Sequence, residues 1–238
     1  MWNNSNPAVY LNEPLEIREI QSIMNFYLTF EGEVPSGRGG VAEAKHKIRK
    51  AFHVQLKRLW ETHDALANVE RLESAFGQGG ANPILSGIDG GRADNKKLPL
   101  SDWVARQYVE NGYRFAPLVR KDEHLLCSLQ ILLLRSDGHN RVVSAGDLDN
   151  RVKTIIDGLK RPGNASELGG FDQPSEGEDP FYVLLEDDDL VSGLTVETGD
   201  LLAPNDNNDY RKQRWCKVVI SVDIKPYRLT WNSISFLG

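Results

Sequence analysis

From Leu125 to Leu134 the chain reads LLCSLQILLL, an apolar run interrupted only by Ser128 and Gln130. A stretch this apolar must be buried, and its length suits a central strand covered on both faces of a sheet. Periodicity alone leaves a buried helix open. The turn-prone SDGHN that follows ends the run within a few residues of Leu134.

The neighbouring segments have recognisable periods of their own. Ile23 to Phe30, IMNFYLTF, is rich in β-branched and aromatic residues and passes into EGEVPSGRGG, which predicts a strand followed by a loop. From Val41 to about Phe76 the pattern is helical. Ile48, Phe52, Leu56 and Leu59 make one apolar stripe, and Lys45, Lys47, Arg49, Lys50, Lys57 and Arg58 fill much of the remainder. Its basic face reads either as a solvated surface or as a phosphate-contacting one. Residues 77–100, with six glycines and two prolines, predict a Gly-rich loop or linker, and SDWVARQYVENG a short helix capped by Ser101.

A second amphipathic helix is expected where Val152, Ile155, Ile156 and Leu159 recur at i, i+3, i+4 and i+7, stopping at Arg161-Pro162-Gly163. Residues 163–180 are Gly, Pro, Ser and acid and predict a mobile acidic loop insertion. Strands are expected at Phe181–Leu185, Leu190–Glu197 and Trp215–Ile224. The fold class is therefore α/β (α+β), a small mixed sheet flanked by helices. Residues 1–238 read as a single elaborated domain with long loop insertions.

Charge is segregated along the 238 residues. The formal net charge is −6, yet Asp147 to Asp200 holds 14 acidic and 4 basic residues, leaving a net +4 elsewhere. A negative mean thus does not exclude a phosphate-rich partner, because the base lies outside the acid. Cys127 and Cys216 are too few for a disulfide framework, and neither they nor the five histidines have zinc-ligand spacing. The first thirty residues lack the pattern of a signal peptide, and no apolar stretch approaches 18 residues, so a cytoplasmic protein without membrane partners is expected. SGRGG resembles a phosphate nest but lacks the GxxxxGK[ST] pattern.

The chemistry concentrates at Gly146-Asp147-Leu148-Asp149-Asn150, followed by Arg151-Val152-Lys153. In an extended backbone residues two apart project to one side, so Asp147 and Asp149 would present both carboxylates to one point. Asn150, Lys153 and Asp157 would then share the helix face opposite Ile155 and Ile156. Clustered carboxylates, with a further one from Glu186-Asp187-Asp188-Asp189, suit Mg²⁺, which takes oxygen ligands and leaves room for phosphate oxygens. An N-cap aspartate and a solvated acidic turn are the alternative reading of the same residues.

DLDNRVKTIIDGL, followed by an acidic doublet and a strand, resembles the core motif of RusA-type Holliday junction resolvases, homodimeric Mg²⁺-dependent endonucleases. The order of elements is similar too: a first strand ending in a Pro-containing loop (Val34-Pro35-Ser36-Gly37-Arg38), a basic helix, a central strand, the DLDN helix, the doublet and a closing strand. The resemblance covers about half of the chain. It implies that Asp147, Asp149 and Asp188 are catalytic metal-binding carboxylates. It implies Asp187 as a further metal ligand, with Asp187 and Asp189 competing with Asp188 for the register. It further implies that Lys153 stabilises charge at the phosphate and that Asn150 shapes the site.

The cofactor implied is Mg²⁺, with Mn²⁺ as a substitute, and the partners are four-way or other branched DNA and a second copy of the chain. Arg38, Lys45, Arg49, Arg151, Arg211 and Arg214 are the expected DNA-contacting cations. The N-terminal extension, Gly-rich segment and acidic insertion depart from the shorter, more basic family pattern. Two other functions fit the same residues: a non-catalytic relative that binds branched DNA, and a metal-dependent hydrolase of small phosphorylated molecules.

Overall fold

The computed structural model describes residues 22–36, 41–72, 96–135, 145–202 and 215–228, with the side chains of 145–147 excepted. Its elements in chain order are β1 (Met24–Glu33), α1 (Val41–Thr62), α2 (Asp64–Ala67), β2 (Glu70–Leu72), β3 (Lys97–Pro99), α3 (Leu100–Ala105), β4 (Val109–Glu110), β5 (Tyr113–Val119), β6 (Leu125–Arg135), α4 (Ala145–Leu159), β7 (Phe181–Leu185), β8 (Val191–Asp200) and β9 (Trp215–Pro226). Short 3-10 turns lie at Ala165–Leu168 and Asp188–Leu190. The architecture is mixed α and β, as expected.

The main sheet has strand order β1-β9-β6-β8, with β9 antiparallel to both β1 and β6, and β8 parallel to β6. A three-stranded sheet runs β4-β5-β7, its β5–β7 pair parallel, and β2 pairs with β3. The expected sheet is thus one mixed sheet plus two smaller ones.

Alternation of burial along β6 and β9 turns Cys127, Leu129, Ile131, Leu133, Val218, Ile220 and Val222 into a core shared with Ile48, Phe52, Leu56 and Trp60 of α1 and Val152, Ile155 and Leu159 of α4. Every residue of β7 is buried, Tyr182 and Leu184 in this core and Phe181 and Val183 in a second cluster with Tyr113, Phe115 and Leu168. At the edge of the main sheet, Gln55 of α1 accepts from Thr29 N at 2.9 Å and donates to Thr29 O at 2.7 Å, occupying main-chain groups that could otherwise pair with another strand.

Several expectations change. β6 is central in its sheet but fully buried on one face only, because Leu126, Gln130, Leu132 and Leu134 point to the other side. The first helix ends at Thr62, not near Phe76, and His63 starts α2, its ring Nδ1 accepting from Ala65 N. Ser101 is not a cap: α3 begins at Leu100 with Pro99 at the N-cap and no side-chain capping bond. Of the Gly-rich segment, Lys97–Pro99 is strand and Leu100 helix, and residues 77–95 lie outside the described residues.

The acidic insertion is docked, not free. Leu168 is buried, Tyr113 Oη donates to Gln173 O at 2.7 Å, and Arg114 holds Asp179 at 2.7 Å. Lys50 pairs with Glu178 at 2.9 Å and lies 4.7 Å from the Phe171 ring centre. The apolar and aromatic residues scattered among its acids supply the burial that composition understated, and basic residues of α1 and β5 offset its charge.

Candidate active site

α4 is held by its buried face and by polar ties on either side. Arg151, 3% exposed, donates from Nη1 to Val34 O at 2.9 Å and approaches Cys216 Sγ at 3.3 Å. Thr154 Oγ1 lies 2.8 Å from Asn150 O and 3.2 Å from Pro35 O, so its single proton serves one carbonyl at a time. These contacts fasten the loop after β1 to the first half of α4. Asp149, Asn150 and Lys153 are exposed on the same helix. Asp149 and Lys153, at i and i+4, are neighbours on its surface.

The second half of α4 faces α1. Gly158 permits the approach, since a Cβ there would lie 2.6 Å from Ile48 Cγ2. Arg49 spans the junction with its whole fork, donating from Nε to Lys160 O at 2.8 Å, from Nη2 to Asp157 O at 3.0 Å and from Nη1 to His46 Nδ1 at 3.1 Å. Burial pushes Arg49 down to about 10, which leaves it a cation at neutral pH. Asp157, 7% exposed, is neutralised by Lys45 at 2.6 Å and faces Lys160 at 3.8 Å.

The acidic triplet has partners of its own. Lys160 reaches Asp188 at 3.3 Å, and Lys121 reaches Asp189 at 2.7 Å and Asp187 at 3.6 Å. Asp187 Oδ1 accepts from Asp188 N at 2.8 Å and caps the 3-10 turn. Burial raises the Asp187 carboxyl, but hydrogen bonding from Asp188 and the charges of Lys121 and Lys160 hold it below its ordinary value. In the opposite sense, its bond to Asp189 holds the Lys121 ammonium above the usual lysine range.

This geometry corrects the expected constellation. α4 starts at Ala145, ahead of both aspartates, so the strand alternation that would turn Asp147 and Asp149 to one side does not apply. Asp147's side chain lies outside the described residues. Asp188 is tied to Lys160, just past the C-terminal end of α4, whereas Asp149 belongs to its N-terminal part. The ten-residue rise from Asp149 to Leu159 spans about 15 Å. Among the described residues no three His, Cys, Asp or Glu side chains are grouped to hold a metal ion, and Asp149, Asp187 and Asp188 do not form such a group.

Of the expected DNA-contacting cations, Arg49 and Arg151 are corrected to structural residues. Both are buried, and their guanidinium groups are committed to main-chain carbonyls. Lys45 is half-buried against Asp157. Arg38, Arg211 and Arg214 lie outside the described residues. Sequence reasoning overlooked Lys121 and Lys160, the lysines that hold the triplet; no short-range spacing joins them to it. In kind, the exposed Asp149 fits a hard divalent cation, since it offers oxygen donors with Lys153 one turn away.

Comparison with known proteins adds no relative: no family model, no curated protein and no solved structure matches the chain.

Proposed function

We propose that the exposed face at the start of α4 is the reactive face of a metal-dependent endonuclease that cuts branched DNA, in the manner of the RusA-type resolvases its motif resembles. The observation that carries this reading is the setting of Asp149, Asn150 and Lys153: exposed together on a helix whose buried Arg151 and Thr154 contact the loop after β1. A divalent cation at Asp149 would neutralise the scissile phosphate and acidify a water. Lys153 adds an exposed positive charge beside Asp149, favourable where negative charge builds on the leaving oxygen. Asn150 offers an amide to orient the phosphate. Asp187 and Asp188 receive no metal contact in this reading, because Lys121 and Lys160 hold them. A four-way junction has two-fold symmetry, so a pair of cuts calls for two copies of the site.

The test is cleavage of a synthetic four-way junction in Mg²⁺ by wild type, Asp149→Asn and Lys153→Ala, each checked by thermal melting. Cleavage by the wild type and its loss by at least about a hundredfold in Asp149→Asn is the expected result. Equal cleavage by wild type and Asp149→Asn removes the assignment.

The separation of the acidic triplet from Asp149 favours a second reading, a branched-DNA-binding protein without hydrolysis. Junction binding with no cleavage in either Mg²⁺ or Mn²⁺ selects it.

A further inference from the structure

α1 gathers lysine and arginine on one side. At about 100° per residue, Lys47, Lys50, Lys57 and Arg58 fall within roughly 100° of arc, with Val54, 66% exposed, between them. Lys47 and Arg58 stand about 16 Å apart along the helix axis. A row of this kind suits a run of phosphates, but its middle is already occupied. Lys50 Nζ meets Glu178 Oε1 at 2.9 Å and Ser175 Oγ at 3.2 Å, and Lys57 Nζ donates to Gly177 O at 3.4 Å. All three partners belong to residues 172–179, which carry four acids and no base.

The connection from α4 to β7 is attached in two different ways. Its first half is locked by burial and close backbone packing: Leu168 is fully buried, and a Cβ on Gly169 would stand 2.4 Å from Glu43 N. Its second half is held by polar contacts. Tyr113 Oη pins Gln173 O and Arg114 pins Asp179, and between those points Ser175, Glu176 and Gly177 are exposed. This tip touches α1 through Lys50, Lys57 and His53, whose Nδ1 accepts from Tyr182 N and whose Nε2 donates to Gly177 O at 3.2 Å. Glu178 joins both sides of the contact: its Oε1 holds Lys50, while its Oε2 accepts from Ser175 N at 2.8 Å and closes the tip. Surface contacts of this kind contribute little each, so a polyanion that offers several phosphates at once outcompetes them.

We propose that the acidic tip Ser175–Glu178 is an autoinhibitory cover on a DNA-docking face of α1. Glu178 stands where a backbone phosphate would meet Lys50, and DNA laid along α1 lifts the tip and gains Lys50 and Lys57. Gln173 and Asp179, pinned by β5, set the limits of the movement. The inference rests on the DNA-binding part of the proposed function, but it concerns α1 and is read out by affinity, not by cleavage.

The experiment is fluorescence anisotropy of a labelled four-way junction titrated with the full chain in EDTA, at several salt concentrations. The proteins are wild type, Glu178→Gln, Lys50→Gln, their double variant and Glu176→Gln, each checked by thermal melting. Glu178→Gln is expected to bind about threefold or more tightly than wild type, with the salt slope steeper by roughly one phosphate contact. Lys50→Gln should erase that gain in the double variant and cost less in the wild-type background. Glu176→Gln removes the same charge from the same tip without touching Lys50. A gain as large in Glu176→Gln, or one that survives Lys50→Gln, overturns the proposal by reducing it to net charge. Hydrogen exchange on the wild type tests it without a variant. The Ser175 and Glu178 amides, which bond to Glu178 Oε2 and Ser175 O, should exchange faster with the junction bound; unchanged exchange in a bound complex overturns the proposal. Lys50-dependent tightening with no cleavage in Mg²⁺ leaves the cover standing and removes the nuclease reading. Cleavage with no effect of Glu178→Gln on affinity does the reverse, and no binding by either protein removes both.

Discussion

Arg49 Nε on α1 donates to the carbonyl oxygen of Lys160 at 2.8 Å, across 111 residues of chain. That bond, with the one from Nη2 to Asp157 O, makes a residue from the predicted phosphate-binding face into the fastener between α1 and the end of α4. Removing it would leave two main-chain carbonyls without their donor in a buried setting. Arg49→Met is expected to cost about 2–4 kcal/mol in urea unfolding. Arg49→Lys should recover little, since one ammonium cannot reproduce the planar fork. A variant as stable as wild type would show that the fork contributes nothing net.

Gly158 has the opposite character, since its importance lies in what is missing. Alanine there gains helix propensity of about 1 kcal/mol. Its Cβ, however, would stand 2.6 Å from Ile48 Cγ2 and 3.1 Å from Ile48 Cβ, forcing α1 and α4 apart. Overpacking of this kind costs about 1–3 kcal/mol, so Gly158→Ala is expected to destabilise despite the helical gain. In an Ile48→Ala background the same change should be neutral or stabilising, and a double-mutant cycle measures the difference. Additive effects would disprove the contact.

His46 and His53 set a pH dependence. Burial, then the charges of Arg49 and Lys50, push the His46 imidazole from 6.5 down to about 4. Burial also lowers His53. His46 Nδ1 accepts from Arg49, a role that the protonated ring cannot fill. Between pH 6.5 and about 4 the unfolded chain therefore binds more protons than the folded one, and stability falls as pH falls. The contribution is complete above 6.5 and is lost progressively toward 4. Urea midpoints at pH 7.5, 6 and 5 should decline, and His46→Gln, which keeps an acceptor and cannot ionise, should decline less. Equal slopes would exclude His46 as a source.

Much of the scaffold was legible along the chain. The stripe of Val152, Ile155 and Leu159 is buried as its period required, and the strands around Leu28, Leu129, Val183 and Val218 lie where apolar alternation or apolar runs predicted. These elements are local: period 3.6 or 2 and a few turn residues suffice to define them. Residues 163–180 were harder, because Leu168 and Phe171 carry little weight against surrounding acids until Tyr113, His46 and Lys50 are brought beside them.

The candidate site divides in the same way. The sequence by itself determined that a helix would carry Asn150 and Lys153 on one face, because i and i+3 positions are joined by helical geometry alone, whereas the earlier helix start that adds Asp149 to them came from the structure. Only the tertiary structure decided which charged groups remain available. Arg49 and Arg151 disappear into contacts with segments more than a hundred residues away, and Asp188 goes to Lys160 rather than to Asp149. A charge has the same letter in the sequence whether it faces water or a buried carbonyl; its role follows from desolvation and partners, and both are set by how distant parts of the chain pack.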